Sequence, residues 1–248
     1  VRGGGAAGGS GNQNYVFNLD LGLSDRLRLS TFYSVADDPL YAGINGKSAV
    51  PYNYWESYGA ALQWQLLASR AWKLGLAGSL EGWTVGSGGC NNFNCKDNKT
   101  FSPNQFNDSG SQVLSRNLVG SINLPLSWQA TSTLQLTFSP GVSFLPSSQG
   151  AGQGGAGPYY GNNITLGAGA AWRLIPQITL FGSGLLPLGP GSNSFTSDLE
   201  FQRVPILTAG MNWAMNPRIG LEASLTNGFG GTPATALLAL PSANQLGY

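Results

Sequence analysis

The chain has 248 residues and a formal net charge of +1, from 12 Lys and Arg against 11 Asp and Glu. Charged residues make up 9% of it and hydrophobic residues 42%, where a soluble domain carries roughly 25% charge, so an ordinary soluble surface and a nucleic-acid binder are both excluded. Disorder is excluded by 7 Trp, 9 Tyr and 11 Phe, and a transmembrane helix by the lack of any apolar run near the required length of about 18 residues.

The first segment, VRGGGAAGGSG, has no apolar stretch of the kind a signal peptide carries. It sets residues 1–13 apart as a Gly-rich linker and suggests a segment upstream. From residue 14 to 248 the pattern is one β unit. Residues 14–24 alternate strictly, with Tyr15, Phe17, Leu19, Leu21 and Leu23 on one face and Asn18, Asp20 and Gly22 on the other. Residues 26–35 repeat the scheme after a short turn. Leu27, Leu29, Thr31, Tyr33 and Val35 face away from Arg28, Ser30 and Ser34.

Four more hairpins follow. The spacing predicts 56–68 turning into 71–85, 114–129 into 133–144, 163–174 into 177–188, and 204–214 into 218–227. The connections at the opposite ends are long and rich in Gly, Asn, Ser and Pro: residues 37–53, 86–113, 145–162 and 189–203. Ten strands are countable, and residues 235–240 read as an eleventh. The expected fold is all-β: an antiparallel up-and-down transmembrane β-barrel of about 10–12 strands.

Two features give the alternation its direction. The polar face is Gly, Ala, Ser, Thr, Asn and Gln, nearly without the Lys and Glu of a soluble exterior; it suits a lumen, with the apolar face toward lipid. Trp64, Trp72, Trp128, Trp172 and Trp213 all stand near short turns and, by parity, on the apolar face. That is the expected placement of an interfacial aromatic girdle.

On these residues the chain resembles bacterial outer-membrane β-barrels as a class, from residue 14 onward. The stretch NPRIGLEASLTNGFGGTPATALLALPS at 216–242 is similar to segments of uncharacterised barrel proteins from cyanobacteria. The resemblance implies residence in the bacterial outer membrane. It also implies a closing strand with a terminal aromatic residue; here the last residues, Gln245-Leu246-Gly247-Tyr248, stop where such a strand would begin. Enzymatic barrels such as outer-membrane phospholipases, lipid A deacylases and omptin-type proteases share the architecture, but their mechanisms rely on His. This chain has no His at all, which also removes a Ser-His-Asp triad and a His-based zinc site. No enzyme, cofactor or metal is expected.

The remaining polar residues sort by position. Asp20, Glu81 and Glu222 fall on the inward face of three different strands and make no acid–base pair. Arg28, Lys73 and Arg173 also point inward, near the short turns, where Asp20 and Glu222 are placed to pair with Arg28 and Arg173. These six are the expected pore-lining residues. The neighbouring Arg26, Arg70 and Arg218 suit either the pore mouth or lipid phosphates. Trp55 and Trp83 are expected opposite each other at the long-loop mouth, either stacking on a flat solute or packing a folded-in loop. Cys90 and Cys95 share one polar loop with no metal ligands beside them, and an oxidising exterior favours a disulfide. The same loop has Asn and Asp but not the spacing of a calcium-binding hand. The expected function is a passive channel for small solutes with a weak anion preference. The alternative is a non-conducting barrel that anchors surface loops for adhesion or scaffolding. Partners are outer-membrane lipid and small solutes.

Overall fold

The computed structural model describes residues 2–4, 12–37, 52–87, 116–145, 160–195, 201–216, 219–228 and 230–239. They form strands β1 (Arg2–Gly4), β2 (Asn12–Ser24), β3 (Leu27–Asp37), β4 (Tyr52–Ala68), β5 (Trp72–Ser87), β6 (Arg116–Asn123) and β7 (Leu126–Gln129). These are followed by β8 (Leu134–Phe144), β9 (Tyr160–Ile175), β10 (Ile178–Ser192), β11 (Ser194–Phe195), β12 (Phe201–Gln202), β13 (Ile206–Asn216) and β14 (Ile219–Thr226). No helix among the described residues is long and apolar enough to cross a membrane.

Twelve strands join one antiparallel sheet in sequence order, and β11 and β12 pair apart from it. The twelve reduce to ten crossing segments and the short β1. The reason is that β6 and β7 are one strand interrupted at Leu124-Pro125: both pair with β5 on one side and β8 on the other. Proline has no N–H for the ladder, so pairing lapses there. The flanking bonds persist: the Gly75 N–H donates to the Pro125 carbonyl and the Leu124 N–H to that of Pro140, at 2.8 and 2.9 Å.

The five hairpins lie where alternation and turn residues put them. Several turns are sealed by a short polar side chain accepting from the backbone, as such residues do where the ladder ends. Ser69 Oγ accepts from the Trp72 N–H, Thr131 Oγ1 from the Leu134 N–H, and Asn216 Oδ1 from the Ile219 N–H, at 2.9, 3.0 and 2.9 Å.

Period-2 alternation shows directly in exposure. On β6, Leu118 is 71% exposed and Val119 2%; on β9, Ile164 is 57% exposed and Thr165 3%. Large apolar side chains cover the outer face of the whole sheet, and Ser, Thr, Gly and Ala line the inner one. The segment after β14 touches both β5 and the end of β10, so the sheet is curled around it.

Two expectations are corrected. Residues 2–4 do not belong to a linker. Arg2, Gly3 and Gly4 pair with Asn14, Gln13 and Asn12 of β2, because main-chain groups alone make a ladder and Gly-rich sequence does not prevent it. Residues 235–239 of the expected eleventh strand, 235–240, do not form one. Over 232–237 the chain runs as turns inside the barrel. Thr232-Pro233-Ala234-Thr235 carries the Pro-at-second-position signature of a β-turn and closes with a Thr235 N–H to Thr232 carbonyl bond of 3.1 Å.

Candidate functional site

The lumen has two unlike halves. Toward the short turns, β2 and β3 bring Asp20, Arg28 and Ser30 together on the inner face. The register pairs Asp20 with Ser30 and Gly22 with Arg28, so the carboxylate lies diagonally across from the guanidinium. Arg28 forms a salt bridge to Asp20 and donates from Nε at 3.1 Å, while the Ser30 hydroxyl donates to the same carboxylate. Both charged side chains are about half exposed, at 51% and 42%, so water screens the pair. A cavity of about 390 Å³ opens beside them, lined also by Gln63, Gln65 and Pro125.

The other expected pore residues occupy separate places. Lys73 is exposed on β5, across from Ser127. The row through Arg28 crosses β4 at Gln63 and β5 at Ala77, so Arg28 and Lys73 are not in one hydrogen-bonded row. The Arg173 guanidinium donates to the Ser132 carbonyl of the neighbouring turn rather than to Glu222. Glu222 is exposed on β14, paired with Asn212. The pairing expected for Arg173 therefore gives way to a nearer acceptor in the β7–β8 turn.

Toward the long connections the lumen is filled. Glu81 and Trp83 are each only 1% exposed. Glu81 Oε1 accepts from the Ser79 hydroxyl at 2.9 Å and from the Ala234 N–H at 2.6 Å. Ser79 also bonds Ser121 on β6 at 2.9 Å. The register sets Ser57 across from Trp83 and pairs Trp55 with Val85. The two tryptophans are therefore diagonal positions on one face rather than opposite residues; the Trp55 side chain lies outside the described residues. Phe32, Val119, Leu145, Ile206, Leu237 and Leu238 are buried at this level. Alternation alone marks the inner face as polar and does not signal this apolar filling. The turn signature at Thr232-Pro233 was the signal available.

Between the filled end and the β8, β9, β10, β13 and β14 wall lies a cavity of about 410 Å³. Its inner surface includes Thr137, Ser139, Phe181, Ser183, Thr208 and Thr226, with Ala236 of the inward segment as its cap. No charged side chain lines it. Among the described residues, no three His, Cys, Asp or Glu side chains converge as a metal site.

On the outer face, Trp64, Trp72, Trp128, Trp172 and Trp213 are all exposed. Trp72 and Trp128 face each other across β5 and β7, Trp172 faces Leu134 and Leu180, and Trp213 faces Ile178 and Leu221. Cys90, Cys95 and Arg218 lie outside the described residues.

No protein-family model matches the sequence, and no curated protein does. Solved structures do. The NanC porin is similar with a TM-score of 0.59 at 11% identity, over 100% of this chain and 95% of that one. The toluene transporter TodX of Pseudomonas putida gives 0.42 at 10% identity, over 87% of this chain and 63% of that one. A FadL homologue of Pseudomonas aeruginosa gives 0.43 at 13% identity, over 87% and 58%. The porin likeness spans both chains almost completely, and it joins the up-and-down sheet and the outward apolar face: this chain has the fold of a bacterial outer-membrane β-barrel.

Proposed function

We propose that this barrel is a passive outer-membrane channel for small solutes, with a weak preference for anions and no enzymatic step. The observation that carries the reading is the lumen surface itself. Gly, Ala, Ser and Thr leave an open, uncharged cavity of about 410 Å³, which suits a path for solutes rather than a packed core. Arg28, Lys73 and Arg173 add positive charge toward the short turns, where a low-dielectric opening concentrates anions. Asp20 holds Arg28, and Glu222 adds a further negative charge, so the preference is a few-fold at most. The likeness of residues 216–242 to cyanobacterial barrels belongs to the same reading.

A second reading, a non-conducting barrel that anchors surface loops for adhesion or scaffolding, is favoured by the inward segment that fills the upper lumen. Reversal potential in a planar bilayer under a KCl gradient tests the first. Anion preference in the wild type, reduced in an Arg28/Lys73/Arg173→Gln triple variant, supports it. Cation preference in the wild type, or no change in the variant, contradicts the cationic mouth. No conductance in any condition favours the anchoring barrel.

A further inference from the structure

After β14 the chain turns back along the inner face of the curled sheet. Gly228 bridges to Ala239, and residues 230–239 form a compact strap. The Thr232-Pro233-Ala234-Thr235 turn directs the Ala234 N–H outward from the strap. The turn is tightened by a Thr232 to Thr235 hydroxyl bond of 2.7 Å. Gly230 must be glycine here, since a Cβ would sit 1.7 Å from the Thr235 carbonyl oxygen.

The strap is held at two ends. At one, the Ala234 N–H donates to Glu81 Oε1 on β5. At the other, Asn193, just beyond β10, donates from Nδ2 to the Leu237 carbonyl and accepts the Ala239 N–H on its own carbonyl, at 2.6 and 3.0 Å. Leu237 and Leu238 are buried between these ends, each 1% exposed.

We propose that this strap, residues 232–239, is a displaceable plug, and that Glu81 is the positioning residue that latches it. The proposal rests on the channel reading above and adds its regulation. Two observations point to a contact made to be released. The strap meets the barrel through single contacts, the Gly228–Ala239 bridge and the bonds to Asn193 and Glu81, so removing it breaks no strand ladder. Glu81 is also unevenly satisfied. Oε1 accepts from Ala234 and Ser79 and the Thr232 hydroxyl of the strap lies close to the carboxyl, whereas the buried Oε2 meets no donor at hydrogen-bond geometry. Burying a carboxylate with one oxygen unmatched offsets much of what the latch contributes. That offset works against the burial of Leu237 and Leu238 and lowers the cost of releasing the strap, as a gate requires.

The test uses the full chain in planar bilayers as wild type, Glu81→Met and Leu238→Ser, each first checked for heat-dependent gel migration as proof of folding. Glu81→Met removes the acceptor and a charge; Leu238→Ser loosens the strap and leaves the lumen charge unchanged. Hydrogen exchange of residues 230–239 in detergent micelles reads the strap without reference to conductance. The expected result is protection of Ala234 and Ala239 in the wild type, falling about tenfold in both variants, with open-channel time rising by a similar factor. Equal conductance in all three proteins overturns the gate and leaves the channel standing. Unprotected amides in the wild type overturn the latch. Silence in all three proteins, with exchange responding as expected, overturns the channel reading and the gate with it while keeping the latch.

Discussion

Trp72 and Trp128 stand directly opposite each other on β5 and β7, with ring centroids 5.5 Å apart and planes 11° from parallel. Both are exposed on the apolar face. The stack links β5 to the four-residue strand that remains beyond the Pro125 interruption. A strand that short makes few ladder bonds, so a cross-strand aromatic pair has a large share in fixing its register.

A double-mutant cycle on Trp72→Ala and Trp128→Ala should therefore give a coupling of about 0.5–1.5 kcal/mol beyond the lost area. Reversible urea unfolding in detergent or lipid measures it. Additive single-variant effects would mean the stacked geometry adds nothing.

Leu136 and Gln135 test the two faces. Leu136 is exposed on the outer face of β8, across from Trp128; Gln135, across from Gln129, points inward. Leu136→Arg should destabilise the folded barrel by about 2–4 kcal/mol in lipid, and Gln135→Arg by much less. Equal effects would contradict the assignment of faces.

Asp20→Asn should separate stability from selectivity. The ion pair with Arg28 is half exposed, so losing it should change unfolding free energy by less than about 1 kcal/mol. Freed of its partner, Arg28 should move the reversal potential further toward chloride. An unchanged reversal potential would mean that Arg28 does not face the conduction path.

Gly210 and Gly22 make a contrasting pair on the inner face. A Cβ on Gly210 would meet the Ala223 carbonyl oxygen at 2.4 Å and the Phe181 ring at 2.6 Å, whereas one on Gly22 meets nothing within 4 Å. Gly210→Ala should destabilise by about 1–3 kcal/mol, and Gly22→Ala should stay within about 0.5 kcal/mol of wild type. Thermal unfolding in detergent distinguishes them, and a neutral Gly210→Ala would contradict the close packing of β13 on Phe181.

The hairpins were legible because alternation and turn residues are local signals. Leu118 against Val119, and Ile164 against Thr165, differ by parity alone. The Asp20–Arg28 pair was legible for the same reason: a short turn fixes the register of β2 on β3. What escaped was long-range. Arg173 lies three strands from Glu222 along the row through Thr179 and Asn212, and the acceptor it reaches is a carbonyl in a turn from another hairpin. The docking of Ala234 on Glu81 joins residues 153 positions apart, and no spacing rule connects them. The apolar stretch TALLAL reads as a strand by composition, yet Thr232-Pro233 turns it and the open lumen accepts it. Trp83 and Val119 are buried apolar side chains on a face that alternation marks as polar.

The apolar face as a lipid-facing wall is tested most directly by tryptophan fluorescence in bilayers of brominated lipid. Trp64, Trp72, Trp128, Trp172 and Trp213 stand exposed on that face, and Trp83 is buried inside. Bromine placed near the headgroups should quench most of the wild-type emission. A variant with those five residues and Trp55 changed to Phe should retain Trp83 emission that the bromine leaves intact. Wild-type emission insensitive to brominated lipid at every depth would contradict the account, because the exposed tryptophans would then face water or another protein surface instead of a membrane.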